Sequence, residues 1–173
     1  MTNFRSKFNY LVFGLRLLFF ILFVGLFFVF VFKVAPSFYA DNKLGVKLIL
    51  GLLAGLFLTI FLPYRFGKLL LKERSNIILE NGQLILKDAI TSKERYLEKT
   101  DLNGFSTTIY QTKAWNFKSI IFYFSNGDKL EFPQFLYWNF KDIKETLVEN
   151  NVKYLGHEPY RWKWFDTRQY MYD

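Results

Sequence analysis

Two apolar stretches near the N-terminus constrain this chain more than any other feature. Residues 17–32 (LLFFILFVGLFFVFVF) run sixteen positions without a polar side chain, and residues 11–16 lengthen the segment to 22. At about 1.5 Å per residue that makes about 33 Å of helix, enough to cross a hydrocarbon core of about 30 Å. Residues 48–64 (LILGLLAGLFLTIFLPY) supply a second uncharged run of 17, about 25 Å of helix. Lys47 at one end and Arg65 and Lys68 at the other extend its effective length as interfacial anchors. Pro63 stands where the helix stops or kinks. The expectation is a transmembrane helical hairpin over residues 1–72, with helices at about 9–34 and 45–70.

Arg5 and Lys7 resemble the basic region of a signal peptide. The apolar run that follows exceeds the usual signal core, however, and no small-residue cleavage site comes after it. Charge then sets the orientation. Residues 1–72 carry nine Lys/Arg against one acid, Asp41, while the rest of the chain carries fourteen of each sign. The whole formal charge of +8 therefore belongs to the apolar half. This is the pattern of loops flanking membrane helices, and it removes the nucleic-acid reading that an overall basic chain invites. Arg5, Lys7 and Arg16 flank the first run, and Arg65, Lys68, Lys72 and Arg74 follow the second. Lys33, Lys43 and Lys47 lie between the runs with Asp41. The bias places both termini in the cytoplasm and a short loop with Pro36 and Asn42 outside. The seven flanking cations are the membrane-interface candidates, and Arg65, Lys68, Lys72 and Arg74 are each worth about 1 kcal/mol near an anionic leaflet.

Arg16 lies inside the first span. Its long side chain either snorkels to the headgroups or meets an acidic group on another subunit, since neither run contains an acid. Gly51 and Gly55 form a small-xxx-small pair that lets a helix approach closely. Its partner is the first helix or a second subunit.

From Ser75 onward the chain reads as short strands and turns. Residues 76–80 and 83–87 flank Asn81-Gly82, a strong hairpin signal because type I′ turns need positive φ at both central positions. Residues 118–125 and 129–132 repeat the device across Asn126-Gly127-Asp128. Two further strands are expected at 95–99 and 104–111, and Pro133 closes the pattern. A helix follows at about 139–150. Asn139 is its candidate N-cap, Asp142 suits its first turn, and Asn150-Asn151 is its stop. Phe140, Ile143, Leu147 and Val148 form its apolar face, with Lys141, Lys144 and Glu145 opposite. The fold class expected for 73–155 is thus a small α+β domain: six or seven antiparallel strands in an open barrel capped by one C-terminal helix.

This order is similar to that of the bacterial pleckstrin-homology-like (PH-like) small membrane proteins with two N-terminal transmembrane helices. Segment 96–105 (YLEKTDLNGF) resembles the strand leading into the middle of that domain, segment 120–128 (IIFYFSNGD) its late hairpin, and 139–150 its closing helix. The resemblance covers residues 10–155 and implies a cytoplasmic PH-like domain acting as an adaptor rather than a catalyst. A phosphoinositide-binding version needs cations around the first hairpin. Here that turn reads Glu80-Asn81-Gly82-Gln83, with Lys87 the first cation, so specific phosphoinositide binding is not expected.

Residues 156–173 form a tail, of which 159–173 (PYRWKWFDTRQYMYD) is too aromatic for a disordered segment. Tyr160, Trp162, Trp164, Phe165, Tyr170 and Tyr172 pack on their own domain, on a partner protein or at the membrane interface, and are the partner-binding candidates. Catalysis and cofactors are not expected. His157 is the only histidine and reads as a turn residue, and there is no cysteine. No Gly-rich phosphate loop, serine nucleophile elbow or metal-ligand spacing appears. The functional expectation is an accessory subunit of a larger complex in the bacterial inner membrane. The alternative is a homo-oligomeric channel or transport component assembled by the helices.

Overall fold

A computed structural model describes residues 3–34, 36, 46–80, 82–111, 116–161 and 168–172. Asn42, Asp41, Asn81, Trp162, Trp164 and Phe165 therefore lie outside the described residues. The chain divides into two compact units, Phe13–Leu71 and the residues on either side of it.

In the helical unit, α1 (Tyr10–Val29) ends in a wider turn at Phe30–Val34, and α2 spans Val46–Lys72. Two helices of 24 residues, Tyr10–Lys33 and Ile49–Lys72, are apolar enough to span a membrane, with mean hydropathies of 2.8 and 1.8 over an 18-residue stretch of each. Pro63 sits inside α2 and does not end it. The two helices run antiparallel: Phe23 stacks on Phe66 at 5.5 Å, Phe20 lies against Gly67, and the Phe30 ring covers Gly55. A side chain at Gly55 would land on that ring, which is why a glycine stands there. Gly51, one turn earlier, has nothing within 4 Å of where a side chain would start.

The other unit contains two four-stranded sheets. The first, in order β1-β2-β3-β4, is antiparallel and joins β1 (Phe4–Arg5), β2 (Ser75–Glu80), β3 (Gln83–Asp88) and β4 (Glu94–Leu97). The second, in order β7-β6-β5-β8, joins β5 (Leu102–Gln111), β6 (Asn116–Phe124), β7 (Lys129–Pro133) and β8 (Tyr154–Pro159). Helix α3 (Phe140–Glu149) lies between β7 and β8 in the chain, and β8 returns parallel to β5.

Both expected hairpins form. Glu80 opposes Gln83 across the first turn, with Gly82 at φ +78°, and Gly127 in the second turn adopts φ +85°. Four expectations are corrected. The sheets are open and separate, not a barrel, because β4 ends at Leu97 and a 3-10 turn at Lys99–Asp101 breaks the chain before β5. The strands are not all antiparallel, and the helix is not the last element, because β8 follows it. Val148 is half exposed while Thr146 is buried, so the buried stripe of α3 runs through Phe140, Ile143, Thr146 and Leu147.

Candidate functional site

Two polar constructions in the sheet unit are more elaborate than folding of its hairpins requires. The first is a joint within this unit, formed by the residues just before α1 and just after α2. Residues 4–9, which precede α1, are woven into the sheet unit. Phe4 and Arg5 pair with Leu79 and Ile78. The Ser6 N–H donates to the Ile77 carbonyl at 2.8 Å, and the Ser6 hydroxyl accepts the Ile77 N–H at 2.8 Å, replacing a ladder bond with a side chain. Trp138 N–H then donates to the Lys7 carbonyl at 2.9 Å, Phe8 bridges Tyr137, and Asn9 N–H donates to the Leu136 carbonyl at 2.8 Å.

Two asparagines lock this segment. Asn9 Oδ1 accepts the Val12 N–H at 3.2 Å, capping the first turn of α1, while its Nδ2 donates to the Phe135 carbonyl at 3.3 Å. Asn139 stands at the N-cap position of α3 but makes no side-chain cap. Its Oδ1 accepts the Lys7 N–H at 2.7 Å and its Nδ2 donates to the Arg5 carbonyl at 3.1 Å. The side chain thus acts as one residue of extra strand beside segment 5–7. Tyr137 completes the joint: its ring packs on Phe8 at 5.7 Å and its hydroxyl donates to the Ser75 carbonyl, just after α2. Burial raises the Tyr137 phenol well above the ordinary tyrosine value, so it stays a donor. The residues leading into α1 and those following α2 are therefore bonded to one short segment, 135–139.

The second construction is a buried ionic cluster under the tail. Glu158 on β8 is fully buried. Its Oε1 accepts from Ser106 Oγ at 2.8 Å, and both carboxylate oxygens accept from the Tyr123 hydroxyl, at 2.8 and 3.0 Å. Oε2 also accepts the Met171 N–H at 2.8 Å. Arg168, 1% exposed, lies between the Tyr160 and Tyr170 rings at 5.3 and 5.4 Å. Its Nη2 is 3.4 Å from Glu158 Oε1 and donates to the Pro159 carbonyl at 3.3 Å, and its Nη1 is 3.9 Å from Glu131 Oε1. Burial raises the Glu131 carboxyl above its ordinary value, opposed by Arg168 and a Ser119 hydrogen bond and assisted by Glu73 and Glu158. Burial likewise raises the Tyr123 phenol, and its bond to Glu158 adds to the effect. One arginine thus serves the buried Glu158 and the partly buried Glu131 and ties the tail to β7 and β8.

The sequence-derived residues fall in different places. Of the tail aromatics, Tyr160 packs edge-on to Tyr110 at 4.4 Å, and Tyr170 and Tyr172 pack edge-on to Tyr123 at 6.2 and 5.7 Å. Trp162, Trp164 and Phe165 lie outside the described residues. The Gln169 N–H donates to the Arg161 carbonyl at 2.8 Å, so the described ends of the tail are bridged. Among the cations expected at the interface, Arg5, Lys7 and Lys72 are exposed, and Arg16, Arg65 and Lys68 are partly exposed. Arg74 is engaged within the sheet unit, its Nε 2.7 Å from Asp88 Oδ2. His157 is exposed on β8 with Nδ1 3.5 Å from the Thr107 hydroxyl. Among the described residues no group of three or more His, Asp or Glu is arranged to hold a metal.

Sequence reasoning missed Ser6, Asn9, Glu131, Glu158 and Arg168. The only signal for the joint was its polar spacing just ahead of an apolar run, which reads equally as a solvated leader. No protein-family model matches the chain, and no curated protein is similar enough in sequence to count as a relative.

Proposed function

We propose that this chain is a membrane-anchored, non-catalytic adaptor or accessory subunit of a larger complex in the bacterial inner membrane, with both termini cytoplasmic. The observation that carries the reading is the joint at Tyr137. One segment, 135–139, holds both the residues entering α1 and the residues leaving α2. If both helices cross a bilayer, that attachment requires an even number of crossings, so the sheet unit and the N-terminus share a side. The charge excess at that end, with Arg5, Lys7, Arg16, Arg65, Lys68 and Lys72, favours the cytoplasm for it.

The meander of β5, β6 and β7 followed by α3 has the strand-then-helix order of the PH-like reading, with β1 and β8 as additions. An adaptor role is supported by how the polar groups are used. Glu158 has its acceptor positions filled from within the fold, and Asn9 and Asn139 hold backbone, so these groups are committed to rigidity. What results is a stiff sheet unit, a form suited to presenting a surface to other membrane proteins. Its partners are the bilayer and another membrane protein or complex.

The test is an affinity tag inserted within 37–45, followed by gentle solubilisation and native mass measurement. Co-purification with different membrane proteins in a defined larger assembly is the expected result. A symmetric ring of this chain alone would replace the adaptor with the channel reading. A reporter fused after Asp173 that proves active outside the cell would overturn the topology. Deleting 159–173 is a poor probe of partner binding, because Arg168 is part of the fold.

A further inference from the structure

We infer that Trp138 is a membrane-interface anchor that seats segment 134–139 of the sheet unit on the lipid headgroup layer; the inference rests on the spanning role proposed above. Trp138 is 71% exposed, although its neighbours Leu136, Tyr137 and Phe140 are buried. A large indole left in solvent between buried residues calls for something to cover it, and the chain itself limits what lies nearby. Trp138 N–H is bonded to the Lys7 carbonyl at 2.9 Å, and α1 begins at Tyr10, three residues later. An extended chain covers about 3.5 Å per residue, so the Trp138 backbone lies within about 15 Å of the first residue of the candidate span.

The same segment is tied to the far end of the hairpin, since the Tyr137 hydroxyl holds the Ser75 carbonyl three residues past Lys72. Segment 134–139 is thus bonded to residues only three positions from the start of one candidate span and three from the end of the other. The headgroup region is about 5–8 Å deep on each side of the hydrocarbon, which the remaining distance and the length of an indole side chain together span.

Local chemistry selects lipid rather than protein as the occupant. Tyr10 is 61% exposed where the span begins, and Lys7 and Arg5 are exposed just before it. Trp and Tyr with an apolar body and a polar edge, beside cations, are the composition of headgroup-depth belts. The sequence pattern alone placed Arg5 and Lys7 there; Trp138 is more than a hundred residues away and is added by the fold.

The test uses the full chain in lipid nanodiscs, carrying W115F, W162F and W164F so that Trp138 is the only fluorophore of its type. One set of discs contains lipids with a nitroxide at the headgroup, a second has it deep in the acyl chains, and aqueous iodide is the third quencher. Strong quenching by the headgroup label is expected, with iodide quenching several-fold weaker than for the same chain unfolded in urea. Iodide quenching equal to that of the unfolded chain, with no effect of the headgroup label, overturns the inference. So does protection from both iodide and lipid labels, which would mean that a protein covers the residue. Leu22→Trp in a chain whose four native tryptophans are phenylalanine serves as the reference. If it escapes the deep label, the spanning reading has failed. If it is quenched while Trp138 is not, only the anchor has.

Discussion

Replacing Arg168 by methionine is the sharpest test of the polar cluster. Methionine keeps much of the apolar volume between Tyr160 and Tyr170 but deletes the cation that, among the described residues, pairs with both Glu158 and Glu131. Glu158 would retain Ser106, Tyr123 and the Met171 N–H, so its desolvation is only partly uncovered. Removing one partner of a buried ion pair costs about 3–5 kcal/mol, and hydrogen-bonded retention of Glu158 argues for the lower end of that range. Against a typical total stability of about 5–15 kcal/mol, even about 3 kcal/mol is large.

The measurement is urea unfolding of the full chain in mild detergent, followed by near-ultraviolet circular dichroism of the tyrosines. The sheet-unit transition should move to lower urea by an amount equivalent to about 3 kcal/mol. Adding Glu158→Gln to Arg168→Met should recover part of that loss, because the uncompensated charge is then gone, and the cycle should give a coupling of about 1–3 kcal/mol. A single Arg168→Met variant within about 0.5 kcal/mol of the parent would refute the claim that the tail is part of the fold.

The Thr108 hydroxyl is buried without a hydrogen-bond partner among the described residues, so Thr108→Val should be neutral or stabilising by up to about 1 kcal/mol in the same assay. The Glu131 carboxyl binds its proton more tightly folded than unfolded, so stability should fall as pH rises from the ordinary glutamate range through its raised folded value. Glu131→Gln should flatten that fall in a series of Tm measurements against pH, whereas an unchanged slope would move the titration elsewhere. Gly55→Val must displace the Phe30 ring and should destabilise the helix pair by about 1–3 kcal/mol in detergent, while Gly51→Val should be within about 0.5 kcal/mol. A larger effect at Gly51 would mean that its open face is covered by another copy, in favour of the channel reading.

What was legible in the sequence is what is encoded locally. The two apolar runs, the Gly82 and Gly127 turns and the face of α3 depend on residues within a few positions of each other. The missed elements depend on distant partners. β1 is two residues long, meets β2 more than seventy positions away, and has no alternation to reveal it. β8 contains Gly156 at φ +119° and a buried glutamate and ends at Pro159, all of which argue against a strand, and its parallel pairing with β5 leaves no hairpin signal. Asn139 has the right residue type and position for a helix cap, yet its side chain is taken by segment 5–7 because the backbone there supplies both a donor and an acceptor. Charge misled in the same way: Glu131, Glu158 and Arg168 look like solvated residues until the tail folds over them.

That division between local and distant encoding yields one more prediction. A chain lacking residues 1–9 keeps both apolar runs and every residue of 73–173, so a domain boundary drawn from the sequence at 73 would leave its sheet domain untouched. The joint says otherwise. Without the segment, the Ile77 N–H, the Trp138 N–H, the Leu136 carbonyl and both ends of the Asn139 side chain lose their partners. Each lost bond at a buried or half-buried position is worth about 1 kcal/mol. Phe8, 6% exposed, also withdraws from Tyr137 and removes about 1.5–3 kcal/mol of apolar burial. Water can re-bond the more exposed groups, so a destabilisation of about 3–5 kcal/mol is expected, concentrated at β2 and 134–139. Amide hydrogen exchange on full-length and shortened chains in nanodiscs reads this directly. Exchange at Ile77, Tyr137 and Trp138 should accelerate by at least about a hundredfold (about 2.7 kcal/mol), with the β5–β6 ladder much less affected. Equal protection in the two chains would show that the sheet unit stands without its N-terminal strand, and the attachment that ties it to both helix ends would lose its physical basis.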